Sequence, residues 1–139
     1  MIRFKKSSEN LVVVTLTENS TLANPIYLFK FVNQQSFVPY YFIANDTSNF
    51  KNRYNSFIVT DKVNPNTLSG EISLGNEGFY NYEVYQTTLI SLSGLSNAED
   101  AIPYIDKTVE YGVVWVVPQD TQNDVYNPAT LESIIYQPE

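Results

Sequence analysis

The side chains that carry out most enzymatic acid–base and nucleophilic chemistry are scarce in this chain. Its 139 residues contain neither histidine nor cysteine. The composition therefore excludes an imidazole base, a thiolate nucleophile and a zinc site built from Cys and His ligands. A serine nucleophile with a lysine base would need a buried lysine, and neither Lys30 nor Lys107 lies in such a motif.

Carboxylates remain as candidates for catalysis or metal binding. Glu99, Asp100 and Asp106 could supply the pair about 5–10 Å apart that glycoside hydrolysis requires, but their segment is polar and we expect them to be solvated. The stretch 120–124 (DTQND) resembles the start of a calcium loop, yet it lacks the glycine and the closing glutamate of that motif. An irregular site with oxygen ligands is the alternative there. We predict a protein that is not an enzyme and has no metal, cofactor or small-molecule substrate.

The distribution of charge bears on the choice of partner. Residues 1–62 hold seven basic and four acidic residues, and residues 63–139 hold one basic and eleven acidic residues. Such asymmetry suits head-to-tail packing of like copies or docking onto differently charged neighbours, and chance scatter is the alternative. Because most of the chain would repel phosphate, we predict no nucleic-acid partner. No stretch approaches the ~18–20 apolar residues of a membrane span, so we predict no membrane partner.

The termini are the predicted contact segments. Arg3, Lys5 and Lys6 form a basic cluster, which indicates a docking arm. Tyr126 and Tyr136 lie in the acidic tail, and tyrosine is frequent among the residues that contribute most to protein interfaces. These five residues are our predicted partner contacts.

The framework that must position these side chains is predicted to be a β-structure. Short segments rich in β-branched and aromatic residues alternate with turn residues, which is typical of strands. The predicted strands are 11–17, 26–33, 37–44, 55–61, 68–74, 79–88 and 107–117. A loop at 89–106 contains at most one helical turn, near 97–100. We predict a single all-β domain, an immunoglobulin-like antiparallel β-sandwich of about seven strands.

Three positions predict details of that sandwich. Lys30 marks the wetter face of its strand, so the core face is the aromatic one, made of Tyr27, Phe29 and Phe31. Pro39 cannot donate to a ladder, which predicts an edge strand or a bulge. Gly112 predicts a bulge or bend in the last strand.

Domain boundaries follow from the same pattern. Residues 1–10 are predicted to be a basic N-terminal arm, residues 11–117 the sandwich and residues 118–139 an acidic tail. The chain has eleven tyrosines and eight phenylalanines, more than one core of this size should need, so we expect a partner to cover some of them. An exposed tyrosine or Trp115 could instead stack on a sugar.

Several stretches resemble known proteins. They are 11–22 (LVVVTLTENSTL), 24–31 (NPIYLFKF), 53–57 (RYNSF), 78–86 (GFYNYEVYQ) and 109–116 (VEYGVVWV). Together they resemble small virion proteins of tailed phages of Bacteroidetes, including the crAss-like phages. Within 78–84, the tyrosine that enters the strand also resembles the one that ties down a corner in immunoglobulin-like sandwiches.

The resemblance to virion proteins implies a structural function. It implies an auxiliary capsid protein that decorates or stabilises the major shell, with major capsid subunits, other virion proteins or further copies of this chain as partners. It places the protein in the virion, assembled in the host cytoplasm, and it implies no catalytic residues. A head–tail connector or other neck or tail component is one alternative, and a carbohydrate-binding sandwich is another. The acidic tail lies outside the resemblance.

Overall fold

Eight β-strands make up about half of the residues that the structure describes. The computed structural model describes residues 2–22, 25–48 and 53–118. The strands are β1 (Ile2–Lys5), β2 (Glu9–Val14), β3 (Tyr27–Asn33), β4 (Pro39–Ile43), β5 (Asn55–Asp61), β6 (Glu71–Ile72), β7 (Gly78–Thr87) and β8 (Ile105–Val117). Three 3-10 helices connect them, at Thr17–Asn19, Thr67–Ser69 and Ala98–Tyr104. No helix in these ranges is long and apolar enough to cross a membrane.

The strands form two packed sheets. One has five strands in the order β1-β8-β7-β3-β4, and the other has three in the order β2-β5-β6. The predicted all-β sandwich is therefore confirmed, with eight strands where seven were expected. The pairing is mainly antiparallel, but β1 runs parallel to β8 and β6 runs parallel to β5.

Aromatic rings fill the space between the sheets. Phe29 lies at the centre, stacked on Phe42 at 4.8 Å between ring centroids and edge-on to Phe57 of the opposite sheet at the same distance. Phe31 meets Phe42 edge-on at 5.1 Å. Such pairs add about 0.5–1.5 kcal/mol each beyond the area they bury. The predicted core face of β3 is confirmed, because Tyr27, Phe29 and Phe31 are all buried in this cluster.

The N-terminal region differs from its prediction. Residues 2–5 are the edge strand β1, which pairs with β8 in the register Ile2↔Val114 to Lys5↔Val117. The alternation of β1 buries Phe4 completely, against Phe31 at 5.9 Å. Phe4, the partly buried Ile2 and the ladder with β8 thus fasten the segment to the sandwich.

Two further expectations are corrected. The predicted strand 68–74 is mostly a 3-10 helix and loop, with only Glu71–Ile72 as strand. Gly112 is not the bulge: the register of β7 with β8 shifts between Val84 and Tyr85 and again between Gln86 and Thr87. A Cβ on Gly112 would lie 2.7 Å from Cε1 of Tyr82, so glycine is needed there for close packing. Pro39 does begin an edge strand, as expected.

A smaller core cluster lies on the outer side of the five-stranded sheet. The 3-10 helix Ala98–Tyr104 packs its two buried alanines, Ala98 and Ala101, against Leu28, Ile43 and Tyr85. The Asp100 carboxylate accepts hydrogen bonds from the backbone N–H groups of Ser96 (2.8 Å) and Asn97 (3.3 Å), which fixes the start of this helix. The helix covers one end of the sheet face and leaves the other end open.

Candidate interaction surfaces

The open end of the five-stranded sheet carries large side chains in cross-strand rows. Arg3, Trp115 and Phe79 are directly opposite one another on β1, β8 and β7. The rows beyond them contain Asn81 opposite Val113, then Glu83 opposite Tyr111. Because directly paired residues point to the same face, all of these side chains leave the sheet on its solvent side.

Arg3, Trp115 and Phe79 form a stack that we call the aromatic ridge. The rings of Phe79 and Trp115 are 6.1 Å apart between centroids and tilted by 18°. The guanidinium carbon of Arg3 lies 5.7 Å from the indole centroid. Strand β8 lies between β1 and β7, so Arg3 and Phe79 flank the indole from opposite sides. Trp115 nevertheless stays 41% exposed and Phe79 47% exposed, although their orientation is set by their neighbours.

Polar side chains lie on the same face of the sheet as the ridge and are themselves held in place. Gln34 donates from Nε2 to Oδ1 of Asn81 at 3.0 Å. The Lys30 ammonium lies 6.0 Å from the ring centroid of Tyr41. Together with the ridge, these groups form a surface of aromatic, amide and cationic character.

A second surface lies on the outside of the three-stranded sheet. Leu11 is 63% exposed and Val13 51% exposed, and Ile58 sits directly opposite Leu11 on β5. We call these three residues the aliphatic patch. It follows from strict alternation in β2, in which Asn10, Val12 and Val14 are buried and Glu9, Leu11 and Val13 are exposed. An apolar solvent face on a short edge strand is unusual enough to mark a contact region.

Two buried tyrosines of the five-stranded sheet donate hydrogen bonds to carboxylates. Tyr82 donates to Oε2 of Glu110 at 2.7 Å, and Tyr85 donates to Oε1 of Glu83. Burial raises the pKa of both phenols well above the usual value, and the neighbouring carboxylates raise it further. These tyrosines are therefore neutral structural donors near pH 7.

Two of the three carboxylates considered for catalysis accept hydrogen bonds that stabilise the fold. Asp100 starts the 3-10 helix, and Asp106 accepts a 2.6 Å hydrogen bond from Nε2 of Gln86, while Glu99 is exposed. Among the described residues, no group of three or more acidic side chains is arranged to hold a metal ion. The candidate calcium loop at 120–124 lies outside those residues.

A cleft of about 770 Å³ lies at one end of the sandwich and contains Asp46 and Asn55. The Asp46 carboxylate accepts from Nδ2 of Asn55 (2.5 Å) and from the N–H groups of Ser48 (2.9 Å) and Ser56 (3.2 Å). Burial alone would raise the pKa of Asp46, but these hydrogen bonds outweigh it and the pKa is lowered. Asn55 in turn accepts from the N–H of Leu16 at 2.8 Å. The polar groups of the cleft thus hold its walls together.

The predicted contact residues separate into two groups. Arg3 is part of the aromatic ridge. Lys5 ends β1, and Lys6 donates from its backbone N–H to Val117 at 3.0 Å and from Nζ to Gly75 at 3.3 Å. Tyr126 and Tyr136 lie outside the described residues. Phe79 was missed, although its alternation with buried Tyr80 is a usable signal for the solvent face.

Comparisons with known proteins add little. No protein-family model matches the sequence, and no curated protein matches it either. Among solved structures, the chain is similar to part of a "putative glycoside hydrolase" from Bacteroides vulgatus ATCC 8482. The sequence identity is 10%, the TM-score is 0.43, and the likeness covers 87% of this chain and 17% of that chain. The chain thus spans a small part of that protein, and at this TM-score the likeness supports no conclusion about activity.

Proposed function

We propose that this chain is a non-catalytic structural protein of a tailed phage virion, an auxiliary capsid protein that docks on the major shell. The observation that carries the docking function is the aromatic ridge. It presents an exposed Trp and Phe together with an Arg on a rigid sheet. The virion setting is supported by the resemblance of residues 11–117 to small virion proteins of phages of Bacteroidetes.

The ridge has the properties of a protein-binding centre. Trp and Arg are enriched among the residues that contribute most to protein interfaces. Because Arg3 and Phe79 already hold the indole in one orientation, little side-chain freedom is lost when a partner covers it. The surrounding amide and cationic groups would supply a polar rim, as interfaces of this kind require.

Carbohydrate binding would require a different geometry of the same residues. A sugar platform needs an open aromatic ring face, whereas Trp115 is flanked on both sides by Arg3 and Phe79. Neither face of the indole is therefore free to stack on a sugar ring. This geometry favours a protein partner over a pyranose ring. A neck or tail position differs from a shell position only in the identity of that protein.

Binding to shells assembled from the major capsid protein tests the proposal. We expect wild-type protein to co-sediment with the shells, and Trp115→Ala to weaken binding at least about ten-fold, the size of effect typical of a central interface residue. Tyr104→Ala is the matched control, because Tyr104 is an exposed aromatic residue on the 3-10 helix, away from the ridge. Absence of binding to shells, combined with binding of the isolated protein to glycans, would replace the proposal by the carbohydrate alternative.

A further inference from the structure

The side-chain amide of Gln86 is surrounded by groups that could react with it. Gln86 lies on β7 and is completely buried. Its Oε1 accepts hydrogen bonds from the backbone N–H groups of Thr21 (2.9 Å) and Leu22 (3.4 Å). Its Nε2 donates to Oγ1 of Thr21 at 2.6 Å and to Oδ2 of Asp106 at 2.6 Å. A hydroxyl, a carboxylate and two N–H donors thus converge on one amide.

This arrangement contains the parts of an acyl-transfer site. The Thr21 hydroxyl is a nucleophile, and the amide carbon Cδ of Gln86 is an electrophile. Two backbone N–H groups on the carbonyl oxygen are the donors that stabilise a tetrahedral intermediate. Because Cδ is one bond of about 1.33 Å from Nε2, it lies within about 3.9 Å of Oγ1, near the distance of about 3–3.5 Å at which reacting atoms meet.

The segment that carries Thr21 is fixed by its neighbours. The Asn19 amide donates from Nδ2 to the carbonyl of Val109 at 3.0 Å. The hydroxyls of Ser20 and Tyr27 are hydrogen-bonded at 2.7 Å. These contacts join the segment to β8 and β3 just before Thr21, so the hydroxyl is already oriented when it meets the amide.

A β-bulge places the carboxylate. Gln86 lies opposite Lys107 and Thr87 lies opposite Ile105, so Asp106 is an extra residue in β8. Bulges of this kind redirect a side chain and are frequent beside functional sites. Here the bulge brings the Asp106 carboxylate to the Gln86 amide of the neighbouring strand.

We propose that Thr21 and Gln86 form an ester cross-link within the chain, with release of ammonia. Oγ1 of Thr21 attacks Cδ of Gln86, and the two backbone N–H groups stabilise the negative charge on Oε1. The hydroxyl proton moves from Oγ1 to Nε2 across their contact. The Cδ–Nε2 bond then breaks, its electron pair leaves with the nitrogen, and ammonia departs. The Asp106 carboxylate stabilises the positive charge that develops on Nε2, and no other reactant is consumed.

The surroundings suit both the reaction and its product. Thr21 and Asp106 are exposed, so ammonia has a way out, whereas the buried position of Gln86 shields the ester carbonyl from water. The bond would join the connection between β2 and β3 to β7, across 65 residues of sequence. Such a cross-link restricts the unfolded chain as a disulfide does, in a protein without cysteine. It forms once per chain, without turnover.

The intact mass of the denatured full chain tests the proposal. We expect the folded wild type to be lighter than its sequence by one molecule of ammonia. Thr21→Val should have the full mass of its sequence, and Thr21→Ser, which keeps a hydroxyl, should retain the loss. Thr108→Val, at an exposed threonine of β8, is the matched control and should retain it too. Full sequence mass in the folded wild type overturns the proposal.

Tryptic digestion locates the bond. Thr21 lies in the fragment 7–30 and Gln86 in the fragment 63–107, so we expect these two fragments to be recovered joined. Hydroxylamine should separate them, because it cleaves esters much faster than amides. Loss of ammonia within a single fragment, or a loss that persists in Thr21→Val, would place the reaction elsewhere and overturn the proposal.

The rate of formation tests the carboxylate. In freshly synthesised protein that is denatured at intervals, Asp106→Asn should slow the loss of ammonia at least about ten-fold, because a neutral amide stabilises the charged leaving group less well. An unchanged rate would overturn this role of Asp106. The cross-link involves neither the aromatic ridge nor a shell, so its failure leaves shell binding intact, and failure to bind shells leaves the cross-link intact.

Discussion

Tyr80 donates its phenol hydrogen to the backbone carbonyl of Asn76, with 2.6 Å between the two oxygen atoms. The ring is completely buried at the start of β7, and the hydrogen bond closes the loop that leads into that strand. This is the corner that the sequence 78–84 led us to expect. Burial raises the pKa of Tyr80, so the phenol stays a donor at neutral pH.

Removal of this hydroxyl should destabilise the domain while leaving its fold intact. Tyr80→Phe keeps the buried ring and deletes one hydrogen bond, so we expect the free energy of unfolding to fall by about 1 kcal/mol. Urea unfolding followed by circular dichroism measures the change. Tyr111→Phe, at an exposed ring, is the control and should be neutral. Equal effects of the two variants would show that the corner makes no special contribution.

Gly112 should not tolerate a side chain. A methyl group there would lie 2.7 Å from Cε1 of Tyr82, and overpacking of this kind costs about 1–3 kcal/mol. We expect Gly112→Ala to lower the free energy of unfolding by that amount. In a Tyr82→Leu background, which removes the obstructing ring, the same substitution should cost clearly less. Equal costs in both backgrounds would mean that the strain arises elsewhere.

Asp46 should make stability depend on pH in the acid range. Hydrogen bonds from Asn55, Ser48 and Ser56 lower its pKa below the unfolded value of about 3.9, in spite of the opposing effect of burial. Its contribution is therefore present above the unfolded pKa and is lost as the pH falls through the folded pKa. The stability difference between wild type and Asp46→Asn, measured by urea unfolding at several pH values, should shrink in that range. A difference that stays constant down to low pH would contradict this assignment.

Trp115 is the single tryptophan of the chain, so its fluorescence reports directly on the aromatic ridge. Phe79→Ala should open one side of the indole and raise the quenching constant for acrylamide. Arg3→Ala should do the same on the other side. Tyr104→Ala is the control, because that residue lies on the 3-10 helix. Quenching that does not change in either ridge variant would mean that neither residue shields the indole in solution.

Strands β3 and β7 could be predicted because residues of one character recur at every second position, and side chains of a strand alternate between the core and the solvent with the same period. In β3, Lys30 marks the wet face and the aromatic neighbours mark the core. In β7, buried Tyr80 and Tyr82 alternate with exposed Phe79 and Asn81. By contrast, 68–74 alternates as well but is mostly not a strand, because Gly70 adopts a left-handed conformation (φ 76°) that ends the helical turn there.

The edge strand β1 could not be predicted in the same way. Its partner, β8, is more than a hundred residues away in sequence. Ile2 and Phe4 alternate with Arg3 and Lys5, but four residues are too short a stretch to predict a strand. Phe4 is buried only because parallel pairing with β8 brings it to Phe31. Long-range pairing of this kind depends on the whole sandwich, so the local pattern of β1 does not reveal its partner.

Composition and alternation alone were sufficient to establish an aromatic all-β domain without imidazole or thiol chemistry. The absence of imidazole and thiol groups follows from the residue types, and the strands follow from side chains that alternate in character along the chain. The aromatic ridge and the open edge of β2 emerged only from folding. Phe79 and Trp115 meet through the register of β7 with β8. Among the described strands, only β5 pairs with β2, because β1 joins the other sheet. Register and sheet membership are set by how all strands pack at once, so no single segment of the chain encodes them.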